Sequence, residues 1–107
     1  MKKIVVIGGS KGIGKAIIES LIDDNEVINI SRTDTLSPHN NFTHYSLDIL
    51  TDDLPKIEAI DSLIYCPGSI NLKPIARLKL EEFREDFEIN VIGAVKAIQH
   101  FLPSLKN

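Results

Sequence analysis

An apolar run that passes straight into a glycine-rich loop leaves a chain few folds to choose from. Residues 3–17 read KIVVIGGSKGIGKAI. The opening "KIVVI" is a continuous β-branched run, the pattern of a strand buried on both faces of a parallel sheet. Gly12 to Asp23 then reads as a helix, with Ile13, Ile17, Ile18 and Leu21 spaced to pack on that sheet. A strand, a glycine turn and a helix start in succession form a place for phosphate. The helix N-terminus offers free N–H groups and the positive end of its dipole to the anion.

Two phosphate motifs overlap in this loop. Gly9 through Lys15 satisfies G-x-x-x-x-G-K, the pattern of a nucleotide-triphosphate loop. That loop needs Ser or Thr next, to bind magnesium, and here the next residue is Ala16. No apolar strand ends in a metal-binding Asp either, because "LIYC" runs into Pro67, so phosphoryl transfer lacks its charge neutraliser. The second motif is a dinucleotide loop with glycines at 8, 12 and 14. The strict G-x-G-x-x-G spacing is not met, yet G-x-x-x-G-x-G serves the same physics. Gly8 allows the tight exit from the strand, Gly12 removes a side chain where pyrophosphate approaches, and Gly14 lets the helix sit close to the sheet. A purely structural turn explains Ser10 and Lys11 less well than a phosphate site does.

Further strands are expected at 26–31 (EVINIS), 42–49 (FTHYSLDI) and 61–69 (DSLIYCPGS), and Pro55 limits any helix between the last two to a short piece. The loop 32–41 is rich in turn-forming residues. A long helix is expected from about Leu80 to Phe101, with Phe83, Phe87, Val91, Ala94, Val95, Ile98 and Leu102 on one stripe. Strands alternating with helices predict an α/β domain with a parallel sheet. Right-handed crossovers give the strand order 3-2-1-4, the first half of a Rossmann fold. At 107 residues the chain is one domain, 1–107, with a charged fraction of 25% and net charge −3. No basic tract speaks for nucleic acid, and no apolar run approaches a membrane span. Cys66 is the only cysteine and the three histidines lack metal-ligand spacing, so no disulfide or metal site is expected, and the compartment is read as cytoplasmic.

The end of the second strand selects the cofactor. An NAD site places an acidic residue there for the ribose hydroxyls, whereas this chain has Ser31 and then Arg32. A carboxylate would repel a 2′-phosphate, while a guanidinium pairs with one. With Lys11 as a second cation, the sequence favours NADP(H) over NAD(H).

These features resemble the short-chain dehydrogenase/reductase family. The resemblance is carried by "GGSKGIG", "LDI" after the third strand, "CPG" after the fourth and "EINVIGAVKAI" in the long helix, in order through nearly the whole chain. It implies that Gly8, Gly12 and Gly14 line the pyrophosphate, with Ser10, Lys11 and Ile13 beside them. It implies that Asp48 binds the adenine amino group, where the residues alone suggest a loop cap, and that Ile49 packs on the adenine ring. Cys66, Pro67 and Gly68 stand where the family has Asn-Ala-Gly beside the cofactor ribose; Gly68 matches and the other two depart, as does Ile7 where the family often has Thr. Cys66 itself reads as a small core residue rather than a nucleophile. Asn90, on the apolar stripe, must be hydrogen-bonded if buried; the resemblance implies that it ties helix to sheet and supports a proton relay.

The family's catalytic Ser, Tyr and Lys have no counterpart here. Neither Tyr45 nor Tyr65 has a lysine four residues on; Ile49 and Ser69 stand there instead. The resemblance thus implies an oxidoreductase of carbonyl or alcohol substrates whose proton donor lies elsewhere. The chain itself is expected to be an inactive fragment, truncated before the fifth strand, or else a non-catalytic dinucleotide-binding or interaction module. An open, apolar fourth strand and the apolar helix face predict a homo-oligomer.

Overall fold

The computed structural model describes residues 1–33, 38–68 and 73–106. Part of the expected loop after the second strand, Ser69 and Asn107 therefore lie outside the described residues.

Four strands form one parallel sheet: β1 (Lys2–Ile7), β2 (Asn25–Ser31), β3 (Phe42–Ser46) and β4 (Ser62–Tyr65), in the order β3-β2-β1-β4. The expected order holds, and every pairing is parallel. All four strands therefore end at the same edge, where an α/β sheet places its binding crevice. The third strand stops at Ser46, three residues short of its expected end, and the fourth stops at Tyr65.

The continuous aliphatic run of β1 has the cause anticipated for it. Ile4 and Val6 lie in a cluster with Ile18 and Val27 on one face, while Val5 and Ile7 join Ile28, Ile30, Ala97 and Phe101 on the other. Burying a side chain of this kind contributes about 1.5–3 kcal/mol, so both faces need covering. Helix α1 (Gly12–Leu21) covers the first face, burying Gly14 and Ile18. Ile13, expected to pack on the sheet, is instead 79% exposed, because it stands one helical step from that face.

The long helix departs from expectation. It runs as α2 (Leu80–Phe87), a π-helical turn (Glu88–Ile92) and α3 (Gly93–Phe101). The Gly93 N–H reaches back five residues to the Glu88 carbonyl. Its buried positions are Gly93, Ala97 and Phe101, four residues apart. The large apolar residues of the expected stripe, Phe83, Phe87, Val91, Val95, Ile98 and Leu102, are all exposed. Small residues at 93 and 97 let the helix approach the sheet, and this turns the bulky stripe outward.

Beyond Phe101 a short 3-10 turn brings Leu105 beside Ile60, just before β4, in an isolated parallel bridge. Hydrogen bonds from Ile60 N–H to the Ser104 carbonyl and from Lys106 N–H to the Ile60 carbonyl, both 2.9 Å, hold it. Within the sheet itself β4 remains an outer strand.

Candidate functional site

The parallel sheet gathers the sequence-selected residues along its carboxyl edge. Gly8–Gly14 follow β1, Ser31 and Arg32 end β2, Asp48 and Ile49 follow β3, and Cys66–Gly68 follow β4. Gly8 leaves the strand at φ 80 and donates its N–H to the Ile30 carbonyl at 2.9 Å. A Cβ at Gly8 would stand 2.8 Å from Pro67 Cδ, so the β1 and β4 loops abut there. Gly12 has φ 56, and a Cβ added to it would meet nothing within 4 Å. Gly14 is different: a Cβ would collide with the Gly8 carbonyl oxygen and lie 3.0 Å from Gly9 Cα. The helix start is thus pressed against the strand exit, as the third glycine requires.

The electrostatics of this corner favour an anion. The first turn of α1 carries no acidic residue to offset its dipole, and no side chain caps its N-terminus. Its leading N–H groups and dipole can therefore receive phosphate oxygens. Lys11 and Arg32 are both exposed, at the helix start and at the end of β2. Ser10, buried, contacts the Ser31 hydroxyl and the Thr33 carbonyl, joining the glycine loop to the end of β2.

Asp48 behaves as the loop cap that its residue type suggested. Its Oδ1 accepts the Leu50 N–H at 2.9 Å, and its own N–H donates to Asp52 Oδ2 at 2.7 Å. Ile49 is buried in the core cluster beside Ile30 and Ile57, which leaves it little surface to offer an adenine ring. Cys66 packs against the α1-side core, and burial pushes its thiol pKa up, so it is a poor nucleophile.

Asn90 lies in the π turn, exposed rather than buried on an apolar stripe, so the expected desolvation cost does not arise there. A Cβ on Gly68 would stand 3.2 Å from Asn90 Oδ1, which places this amide against the β4 loop. Tyr65 shapes the turn. Its hydroxyl donates to the Ile89 carbonyl at 2.5 Å, and burial raises its pKa, which keeps the phenol a donor. Gly93 makes room for that hydroxyl; a Cβ there would collide with it. A π turn of this kind often marks a functional site.

One residue of this corner was not singled out from the sequence. Asn29 is fully buried in the middle of β2, and its Oδ1 accepts the Gly9 N–H at 2.8 Å. Its signal was present as a lone amide between Ile28 and Ile30. Among the described residues no group of His, Cys, Asp and Glu gathers for a metal ion, and no helix is long and apolar enough to cross a membrane.

The sequence profile of the short chain dehydrogenase family matches residues 2–107. An uncharacterised oxidoreductase of Schizosaccharomyces pombe is 31% identical over 98% of this chain and 49% of its own length. The crystal structure of a short chain dehydrogenase family protein from Francisella tularensis superposes with a TM-score of 0.87 at 28% identity, over 99% of this chain and 47% of that one. A short chain dehydrogenase from Leptospira borgpetersenii, solved with bound NAD+, has a TM-score of 0.82 at 22% identity, over 95% and 45% of the two chains. The chain spans about half the length of the curated relatives it matches.

Proposed function

This chain belongs to the short chain dehydrogenase family, and from that premise we propose that it forms the dinucleotide-binding part of an oxidoreductase that prefers NADP(H) and acts on a carbonyl or alcohol. The observation that carries this reading is the glycine loop: an uncompensated helix N-terminus, with Gly12 leaving open space in front of it. Gly8, Ser10, Lys11, Gly12, Ile13 and Gly14 would hold the pyrophosphate. Ser31 and Arg32 would face the adenosine ribose and its 2′-phosphate, Asp48 the adenine, and Cys66, Pro67 and Gly68 the second ribose. For Asp48 the remaining lone pairs are what the adenine would use, since Oδ1 already caps the loop. When bound, the nicotinamide supplies or takes the hydride.

This chain's own residues would bind and orient the cofactor. Asn90, beside Gly68, would support the proton relay. The acid that delivers a proton to substrate would come from outside these residues, because Tyr65 gives its proton to the Ile89 carbonyl and Tyr45 has no lysine partner four positions on. The chain alone would then bind without turning over. The same two tyrosines favour the second reading, a dinucleotide-binding module without catalysis.

Titration of the purified chain with NADPH and NADH tests the assignment. NADPH should bind about tenfold more tightly, the worth of one charge-assisted contact, and Arg32→Ala should remove most of that preference while changing NADH affinity far less. Equal affinities for the two cofactors in the wild-type chain would show that Arg32 and Lys11 do not meet a 2′-phosphate.

We also propose that the chain self-associates. The outward stripe from Phe83 to Leu102 is apolar, and a surface of this kind favours a partner. Light scattering should report at least a dimer, and Val95→Glu together with Ile98→Glu should return it to a monomer. A monodisperse wild-type monomer that binds no hydrophobic dye would refute self-association.

A further inference from the structure

Among the described residues, Asn29 and Ser10 are the buried polar residues, and Asn29 is the one with no exposed surface at all. The orientation of its amide follows from its neighbours. Gly9 N–H can only donate, so Oδ1 must face it, at 2.8 Å. Nδ2 then faces the other way. It donates to Ser31 Oγ at 3.0 Å and to His44 Nδ1 at 3.0 Å, with Ser10 Oγ at 3.4 Å. His44 Nδ1 must therefore be an acceptor, which leaves the ring proton on Nε2, facing Ser46 Oγ at 2.9 Å. Ser31 in turn gives its hydroxyl proton to the Thr33 carbonyl at 2.8 Å. The network has one consistent direction, and it runs from the glycine loop through β2 to β3.

Asn29 thus joins two places that a dinucleotide would bridge. One amide end holds the backbone of the glycine loop, and the other holds Ser31, next to Arg32. Gly9 has no room to move inward, since a Cβ there would meet Asn29 Oδ1 at 2.5 Å and collide with Ile18 Cδ1. We propose that Asn29 is a positioning residue: it sets the glycine loop and the end of β2 at the spacing a bridging dinucleotide needs before the ligand arrives, and His44 fixes the direction of its amide. This inference rests on the dinucleotide reading of the site. Asn29 touches no ligand, and its effect is to remove the ordering that binding would otherwise require.

An amide that merely solves its own burial would make a different prediction from one that spaces two halves of a site. The difference shows between a ligand that bridges both halves, NADPH, and one that reaches only the Ser31–Arg32 half, 2′-AMP. Asn29→Asp keeps an acceptor for Gly9 and loses both donors; Asn29→Leu loses all of them at similar size. Both variants should weaken NADPH about tenfold and weaken 2′-AMP several times less. Without ligand, the Gly9 amide proton should exchange faster in Asn29→Leu than in the wild type. Should both variants fail to fold, His44→Ala on the outer strand probes the same link and should weaken NADPH about threefold. NADPH affinity unchanged in every folded variant, or an equal loss of both ligands, overturns the role of Asn29 alone. A wild-type chain that binds no NADPH overturns the reading of the site beneath it.

Discussion

Replacing Gly14 by alanine is expected to weaken dinucleotide binding strongly and to destabilise the domain. Two effects oppose each other at this position. Alanine favours a helix over glycine by about 1 kcal/mol, and Gly14 lies in α1. Against this, the added Cβ would collide with the Gly8 carbonyl oxygen and stand 3.0 Å from Gly9 Cα and 3.1 Å from the Gly8 carbonyl carbon. All three are backbone atoms of the loop itself, so no side chain can swing aside to relieve them. Overpacking of this kind costs about 1–3 kcal/mol or more, so steric strain exceeds the helix gain. The helix start must lift away from the strand exit, and its N–H groups leave the position where they meet phosphate. Affinity for NADPH should fall by about 100-fold, and urea unfolding should show a lower midpoint. An alanine variant that binds NADPH as the parent does would mean that α1 need not sit so close.

The second large effect is expected at Gly93, far along the chain from the glycine loop. Alanine here would drive its methyl into the Tyr65 hydroxyl, with Tyr65 Cζ at 3.3 Å and Leu50 Cδ2 at 3.4 Å behind it. The hydroxyl is also the donor that satisfies the Ile89 carbonyl. Displacing it adds a lost hydrogen bond of about 1 kcal/mol to the overpacking of about 1–3 kcal/mol. Alanine's helix gain of about 1 kcal/mol offsets part of this, for a net loss of about 1–3 kcal/mol. That is a large share of the 5–15 kcal/mol typical of a domain. The cause can be isolated by a rescue. Tyr65→Phe alone should cost about 1 kcal/mol, and Gly93→Ala with Tyr65→Phe should recover much of the loss, because removing the hydroxyl frees the space the methyl needs. Additive losses in the double variant would place the strain elsewhere.

The sheet was legible because its signals are strong and local. "KIVVI", "EVINIS" and "FTHYSLDI" are β-rich runs punctuated by glycine or turn residues, and parallel connection then leaves little choice of order. The positions of Gly8, Gly12 and Gly14 were legible for the same reason, since each answers a separate geometric demand. The long helix was harder. Its buried residues are Gly93, Ala97 and Phe101; the first two carry little hydropathy signal, whereas most of the loud apolar residues face outward. Hydrophobic spacing finds an apolar face but does not say which layer covers it. The π turn was hidden as well, because it depends on a contact between Tyr65 and Ile89, distant in sequence. Ile49 carried an adenine role by resemblance and lies in the core, next to a strand that ended earlier than its alternation implied. Asn29 could have been found by asking what an amide does between two isoleucines in a buried strand.

The π turn also changes how this helix aligns with others. A turn closed by a five-residue hydrogen bond holds one residue more than the α-helical turn it replaces. Each residue of an α-helix advances about 100° around the axis. Aligned without a gap to an uninterrupted helix, everything from Gly93 onward would be compared one step out of phase, with Lys96 set against the position that Ala97 occupies. A single-residue gap between Glu88 and Ile92 restores the correspondence, and it places Asn90 in the segment where the insertion sits.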